Sequence, residues 1–288
     1  MLSKLFLSAA LAVTAAATPS QAEIDAYPEW AAIMTTEGYD WESHTTKTAD
    51  GWTLTLFRIT GKIVDGEAKS LVTEDVPVLI QHGFGMDART WAEWGTQEGD
   101  PDTALWALQL VDRGYDVWMS SNRGTQYSNV NDRDGSWTDK ERWDFSWAEM
   151  GRYDQPANIS KILAETGKPK LTYIGYSQGT SQMIYGLSKG HDAYFADRLE
   201  RVILLAPCVF IDGGDADQVV RDWYPPYLVN VFSVGGPDHT ANTQTICDRV
   251  GAESTACLAL SYAFTPEMPQ SPMKSLVYYS QVAAAGRF

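Results

Sequence analysis

The chain has 288 residues, 44% of them hydrophobic, with 11 Trp, 14 Tyr and 9 Phe. That is ample for one large core, and the length would permit two small domains. Its formal net charge of −15 at pH 7 excludes a nucleic-acid binder and sets the surface against anionic lipid, a repulsion that weakens where carboxylates take up protons.

In chain order, Lys4 precedes an apolar run, Leu5 to Ala17, too short to span a bilayer, and Ser20-Gln21-Ala22 offers the small residues a signal peptidase reads. Residues 1–22 are therefore expected to be a secretory signal, with the mature chain starting near Glu23. No later stretch is long and apolar enough to be a membrane helix. Thr45 to Thr60 reads as a hairpin with Asp50-Gly51 as its turn, and His44 lies at its start. Val76–Gln81 is apolar on both faces, as a buried strand should be, and runs into the glycine-containing loop QHGFG, Gln81 to Gly85. Asp102 to Arg113 has helical spacing and ends at Gly114; Tyr115–Met119 is the next strand. Asp154 and Pro156 are expected to open a helix that carries Ile159, Ile162 and Leu163 and ends at Gly167. Asn158-Ile159-Ser160 is a formal glycosylation acceptor, but a helical position makes its use unexpected.

Leu171–Ile174 is a strand and Thr180–Leu187 a helix. Between them Gly175, Ser177 and Gly179 form a G-x-S-x-G frame. Strand, tight turn and helix in that order expose a serine Oγ on a strained backbone, the arrangement of a nucleophile elbow. Its rival is a serine that merely caps the following helix. An oxyanion hole in such a site takes one N–H from the residue after the nucleophile, Gln178, and another from a loop after an earlier strand, for which Phe84 is the candidate.

Val202–Ala206 is a further strand, and Cys208 just after it is expected to be a buried, inert thiol. Strands alternate with helices from about Val76 to Ala206, which implies an α/β fold with a mainly parallel sheet. The rhythm then breaks. Gly213-Gly214, Pro225-Pro226 and Gly235-Gly236-Pro237 mark an excursion that lasts to Gln270. Cys247 and Cys257 enclose nine residues there, and predicted export makes a disulfide between them plausible. Leu276 to Ala285 reads as a helix. No histidine or cysteine cluster has metal-ligand spacing.

The stretches VLIQHGFGMDARTW, LVDRGYDVWMSSNRGTQYS, WDFSWAEMGRYDQPANISKILAETGKPKLTYIGYSQGT and SLVYYSQVAAAGRF together resemble the acid lipases, the family of gastric and lysosomal acid lipases, over roughly His44 to Phe288. The resemblance implies an α/β-hydrolase fold, secretion or a lysosomal location, and cleavage of lipid carboxylic esters by Ser, Asp and His without a cofactor. It places the nucleophile on Ser177, the oxyanion donors on Phe84 and Gln178, and a cap disulfide on Cys247–Cys257. The implied organisation is a core at 23–207, a cap with lid at 208–270 and a return to the core at 271–288. The chain departs from the family in carrying Tyr176 where a histidine usually precedes the nucleophile, and in a shorter cap. Trp223, Tyr224, Tyr227, Val231 and Phe232 could meet a lipid–water interface or simply pack the cap.

The catalytic base is the open question. His44 is placed for an edge role, the resemblance gives the His82 side chain a packing role, and His191 lies a helix length from Ser177. His239 sits in the excursion, a poor place for a group that must come within ~3 Å of Oγ. The family's acid and histidine follow the cap, on loops after two further strands, for which no residues remain. A triad Asp and His are therefore not found, the sequence is expected to be a fragment, and its own turnover is expected to be slight. Val202–Ala206 should then be an uncovered apolar edge that favours aggregation. The alternative function is a non-catalytic lipid-binding or interaction protein on a hydrolase scaffold; a peptidase on this scaffold is disfavoured by the block from Trp143 to Thr180.

Overall fold

A computed structural model describes residues 18–93, 106–188, 190, 192–209, 233–237, 239–254, 257–258, 260–261 and 268–285. Strand β1 (Tyr39–Lys47) and β2 (Trp52–Val64) form the expected hairpin, longer than its β-rich run suggested, because β2 keeps pairing past Thr60. Asp50 and Gly51 make the turn, and Gly51 has φ 93°, a left-handed conformation that glycine adopts without steric cost. Strands β3 (Glu67–Lys69), β4 (Val78–Gln81), β5 (Val117–Ser120), β6 (Val130–Asn131), β7 (Leu171–Tyr176) and β8 (Leu199–Leu205) complete the sheet. Its order is β1-β2-β5-β4-β7-β8, with β3 and β6 both attached to β2. The strands β5-β4-β7-β8 run parallel, and β2 joins them antiparallel to β5.

Side chains one residue apart go to opposite faces of a strand. Phe57, Ile80 and Met119 accordingly join Trp30, Trp41 and Trp91 in one core layer. Leu56, Leu79 and Trp118 join Tyr173, Ile159, Ile162 and Phe195 in the other. Both faces of β4 and β5 are thus covered, which is why these strands read as unbroken apolar runs.

Strand β8 differs. Among the described residues it pairs with β7 alone, and Val202, Ile203 and Leu205 are 36%, 40% and 36% exposed. Among the described residues no strand covers this edge, as expected.

The helix expected to open at Asp154 starts earlier. Ser146 caps it, with Glu149 closing a capping box, and the chain runs through Trp147–Glu149, a π turn at Met150–Asp154 and Gln155–Thr166. Asp154 is a buried interior residue, not a cap. Asn158 is also buried, which closes it to a glycan. Residues 94–105 lie outside the described residues, so of the Asp102–Arg113 helix only Trp106–Asp112 is seen.

Of the excursion, the strand β9 (Ser233–Val234) pairs with β10 (Ser271–Pro272) of the return segment, and the helix His239–Val250 packs Ile246 against Val234, Leu260 and Met273. Cys247 and Cys257 are bonded. The helix Met273–Ala285 returns to the core: Tyr278 and Tyr279 lie against Trp147, whose N–H donates to Ser275 Oγ at 3.1 Å. Among the described residues no helix is long and apolar enough to cross a membrane.

Candidate active site

In a parallel α/β sheet, ligands collect at the carboxyl ends of strands where the connections diverge. Strand β4 is flanked by β5 on one side and β7 on the other, so the divergence falls between β4 and β7. The QHGFG loop leaves β4 there and Ser177 leaves β7 there.

Ser177 has φ 49°. A left-handed conformation at a residue with a Cβ costs about 1–3 kcal/mol and persists only where its surroundings enforce it. Here the Ser177 N–H donates to Leu205 O at 3.0 Å, and its carbonyl accepts from Thr180 N–H at 2.9 Å and Thr180 Oγ1 at 2.5 Å. The buried Tyr173 hydroxyl donates to Gly179 O at 2.7 Å, drawing the first turn of the helix Gln178–Ser188 onto β7. Glycine is required around this corner by close approach. A Cβ at Gly179 would stand 2.6 Å from Gln81 O, one at Gly175 would stand 2.8 Å from Gly179 C, and one at Gly83 would stand 3.0 Å from Ser177 Cβ. The last contact sets the loop after β4 directly against the serine. Tyr176 packs its ring on Trp91 at 6.0 Å between centroids.

His82 is fully buried in that loop. Its Nε2 accepts from Asn122 N–H at 2.9 Å, so Nδ1 carries the proton and donates to Gly83 O at 2.8 Å. Burial lowers its pKa to about 4, against the pull of the Gly83 carbonyl and Asp87. The imidazole is a neutral brace for the loop, in line with the packing role expected. His44 pairs with Glu42 on β1. Neither described histidine side chain touches Ser177; His191 and the side chain of His239 lie outside the described residues.

Among the described side chains, that of Cys208 faces the serine hydroxyl, with Sγ 3.7 Å from Ser177 Oγ. The expectation of a buried thiol is not met: Cys208 is half-buried and faces the serine. The reason is local. Ala206 turns the chain with φ 50°, and the Cys208 N–H donates to Thr180 Oγ1 while its carbonyl accepts from Ser181 Oγ. Ser181 Oγ also meets the buried Tyr279 hydroxyl at 2.9 Å.

Phe84 lies in the loop, packed against the cluster of Val234, Ile246, Leu260 and Met273, and the next N–H, that of Gly85, donates to Ser271 Oγ at 2.9 Å. Gln178 is buried at the head of its helix. A cavity of about 500 Å³ opens beside the loop, lined by Gly85, Met86, Arg89, Met268 and Pro269 among others. The cap aromatics Trp223, Tyr224, Tyr227, Val231 and Phe232 lie outside the described residues.

Several residues of this site were not foreseen from sequence. Arg123 is buried, with Nη1 and Nη2 on Asp50 at 2.6 and 2.9 Å and Nε on Asp154 at 2.9 Å. Burial outweighs the Arg123 charge and raises the Asp154 carboxyl to about 6. Gln81, Asn122, Gln155 and Gln182 are buried together in one hydrogen-bonded set. A signal existed for Gln155 alone: with Asn158, Ile159 and Ile162 it forms one helical stripe, a core-facing surface.

This sheet order, with a serine on a left-handed corner after a central parallel strand, defines a hydrolase-type α/β fold. Residues 76–243 match the family described as alpha/beta hydrolase fold, and residues 30–95 match a partial alpha/beta-hydrolase lipase region. The chain belongs to the alpha/beta hydrolase fold family. It is 39% identical over 173 residues to a probable lipase of Schizosaccharomyces pombe, covering 60% of this chain and 35% of that one. It is 34% identical over 183 residues to lipase member M of Homo sapiens, covering 64% and 40%. It is 33% identical over 270 residues to a tear acid lipase-like protein of Mesocricetus auratus, covering 88% and 62%. The chain thus spans from about a third to under two thirds of these relatives.

Proposed function

We propose that Ser177 is the nucleophile of a serine hydrolase acting on carboxylic esters of lipids. Its Oγ attacks the ester carbonyl, the alcohol departs with a proton, and water later releases the acid from the acyl-serine. The N–H groups of Phe84 and Gln178 hold the oxyanion of each tetrahedral intermediate. In this reading the cavity beside Gly85 and Met86 takes the acyl chain, and the segment 208–270 is the part that meets the lipid–water interface. One observation carries this reading: the left-handed backbone of Ser177 with the loop after β4 pressed against it. The lipase names of the relatives supply the substrate class. The apolar leader and the Cys247–Cys257 bond support a route through the secretory pathway, to the outside or to an acidic compartment.

Acylation by an activated ester is the step to measure, because it asks least of a general base. Exposure to p-nitrophenyl butyrate followed by intact-mass analysis is expected to show one butyryl group, mapped to Ser177 and absent from Ser177→Ala. The matching butyryl anilide is expected to leave no adduct. A second reading, a non-catalytic lipid binder, is favoured by the Cys208 thiol, which stands 3.7 Å from Ser177 Oγ. A folded wild-type chain that is never acylated would decide for it.

A further inference from the structure

Four side-chain amides, from one strand, two helices and the loop after β5, close a ring behind the proposed site. Gln155 Nε2 donates to Gln81 Oε1 at 2.8 Å and to Gln182 Oε1 at 2.6 Å. Gln81 Nε2 and Gln182 Nε2 both donate to Asn122 Oδ1, at 3.0 and 3.1 Å. Ser120 Oγ adds a bond to Gln81 Oε1 at 2.6 Å. All five residues are buried.

The ring is an expensive thing to place in a core. Amides taken out of water lose solvation that only complete hydrogen bonding restores. Completion is not reached: among the described residues Asn122 Nδ2 and Gln155 Oε1 find no partner. Leucine or methionine at these positions would fill the space without orphaned atoms. Breaches of this kind concentrate where a site needs fixed geometry.

What the ring joins is specific. Gln81 ends β4 and is the residue before the His82–Gly85 loop; Gln182 lies on the helix that Ser177 initiates. Asn122 reaches the same loop a second time, through its N–H on His82 Nε2, and His82 in turn holds Gly83 O. Gln155 closes the ring from the long helix, at the end of the π turn whose Gly151 lies against the Gln182 backbone. Apolar packing permits β4 and the serine helix to slide by fractions of an ångström; directed bonds from both sides do not.

We infer that this amide ring is a positioning device: Gln155 and Gln182, acting through Gln81 and Asn122, hold the loop after β4 in register with Ser177, so that the oxyanion donors face the atom they must stabilise. The inference rests on the reading of Ser177 as a nucleophile. None of the four amides touches substrate.

A boronic acid tests it without requiring turnover, because boron bonded to Ser177 Oγ mimics the tetrahedral intermediate and places an oxygen at the donors. Butaneboronic acid binding is measured for the wild-type chain, Ser177→Ala, Gln155→Leu and Gln182→Glu, with melting temperatures in parallel. Wild type is expected to bind in a Ser177-dependent way, and Gln155→Leu at least tenfold more weakly, since displaced oxyanion donors cost of that order or more. Gln182→Glu carries a sharper signature. A protonated carboxyl accepts from Gln155 and donates to Asn122, which keeps the ring whole, whereas a carboxylate breaks it. Its affinity relative to wild type is expected to be near one at pH 5 and to fall about tenfold by pH 8. Folded variants that bind within twofold of wild type at both pH values would overturn the positioning role. Wild type that binds no better than Ser177→Ala would overturn the nucleophile reading itself, and the ring inference with it. Should Gln155→Leu fail to fold, the pH series of Gln182→Glu decides alone.

Discussion

The two flanks of Ser177 are built to different standards. Toward β4, the amide ring, His82 and the Arg123–Asp154 pair are buried, with Asp50 half-buried on Arg123. Toward β8, the strand that receives the Ser177 N–H carries Val202, Ile203 and Leu205 more than a third exposed. Both strands have much the same apolar composition. Burial is decided by what lies alongside, and β4 has a partner strand on each edge where β8 has one among the described residues.

The buried flank should therefore be sensitive and the open flank tolerant. The largest effect is expected at Arg123. Arg123→Met leaves the fully buried Asp154 facing no counter-charge, and breaking such a pair costs about 3–5 kcal/mol. Urea unfolding measures it, and adding Asp154→Leu should return part of the loss. A cost below about 1 kcal/mol would mean that this pair is not what holds the corner.

Next comes pH. The folded state holds His82 neutral, with a pKa of about 4 where a free imidazole has 6.5. Its contribution is complete above about pH 6.5 and is lost as pH falls toward 4, by roughly 3 kcal/mol at 1.4 kcal/mol per unit. Asp154 opposes it in part, since its raised pKa of about 6 makes ionisation a penalty that grows as pH rises from about 4 to 6. Comparing wild type with His82→Gln between pH 7 and 4 isolates the histidine. Equal pH slopes in the two proteins would remove His82 as a buried brace.

The smallest effect is expected on β8. Ile203→Lys should change stability by no more than about 0.5 kcal/mol, because the side chain is already 40% exposed, while light scattering of the concentrated chain should fall. A cost of several kcal/mol would show that this strand is covered after all.

How much was legible in the sequence follows the same division. G-x-S-x-G between a strand and a helix located the corner at Ser177, and QHGFG located the loop that meets it, because glycine spacing records close approach directly. The apolar runs gave β4, β5, β7 and β8 to within a few residues. The amide ring escaped because its members come from a strand, a loop and two helices, and no local pattern reports that Gln81, Asn122, Gln155 and Gln182 converge. Asp154 misled for a related reason: Asp before Gln-Pro is a fair helix start, yet Ser146 and Glu149 had already begun the helix eight residues earlier. Cys208 was misjudged because the left-handed turn at Ala206, which swings its thiol toward Ser177, leaves no mark in composition.

The account stands on Ser177 being a reactive hydroxyl rather than a helix cap. Treatment with a fluorophosphonate, followed by peptide mapping of the purified chain, puts that to the question most directly. Modification is expected at Ser177 alone, slow, and abolished by Ser177→Ala with the fold intact. A folded chain whose Ser177 remains unmodified after prolonged exposure would contradict it.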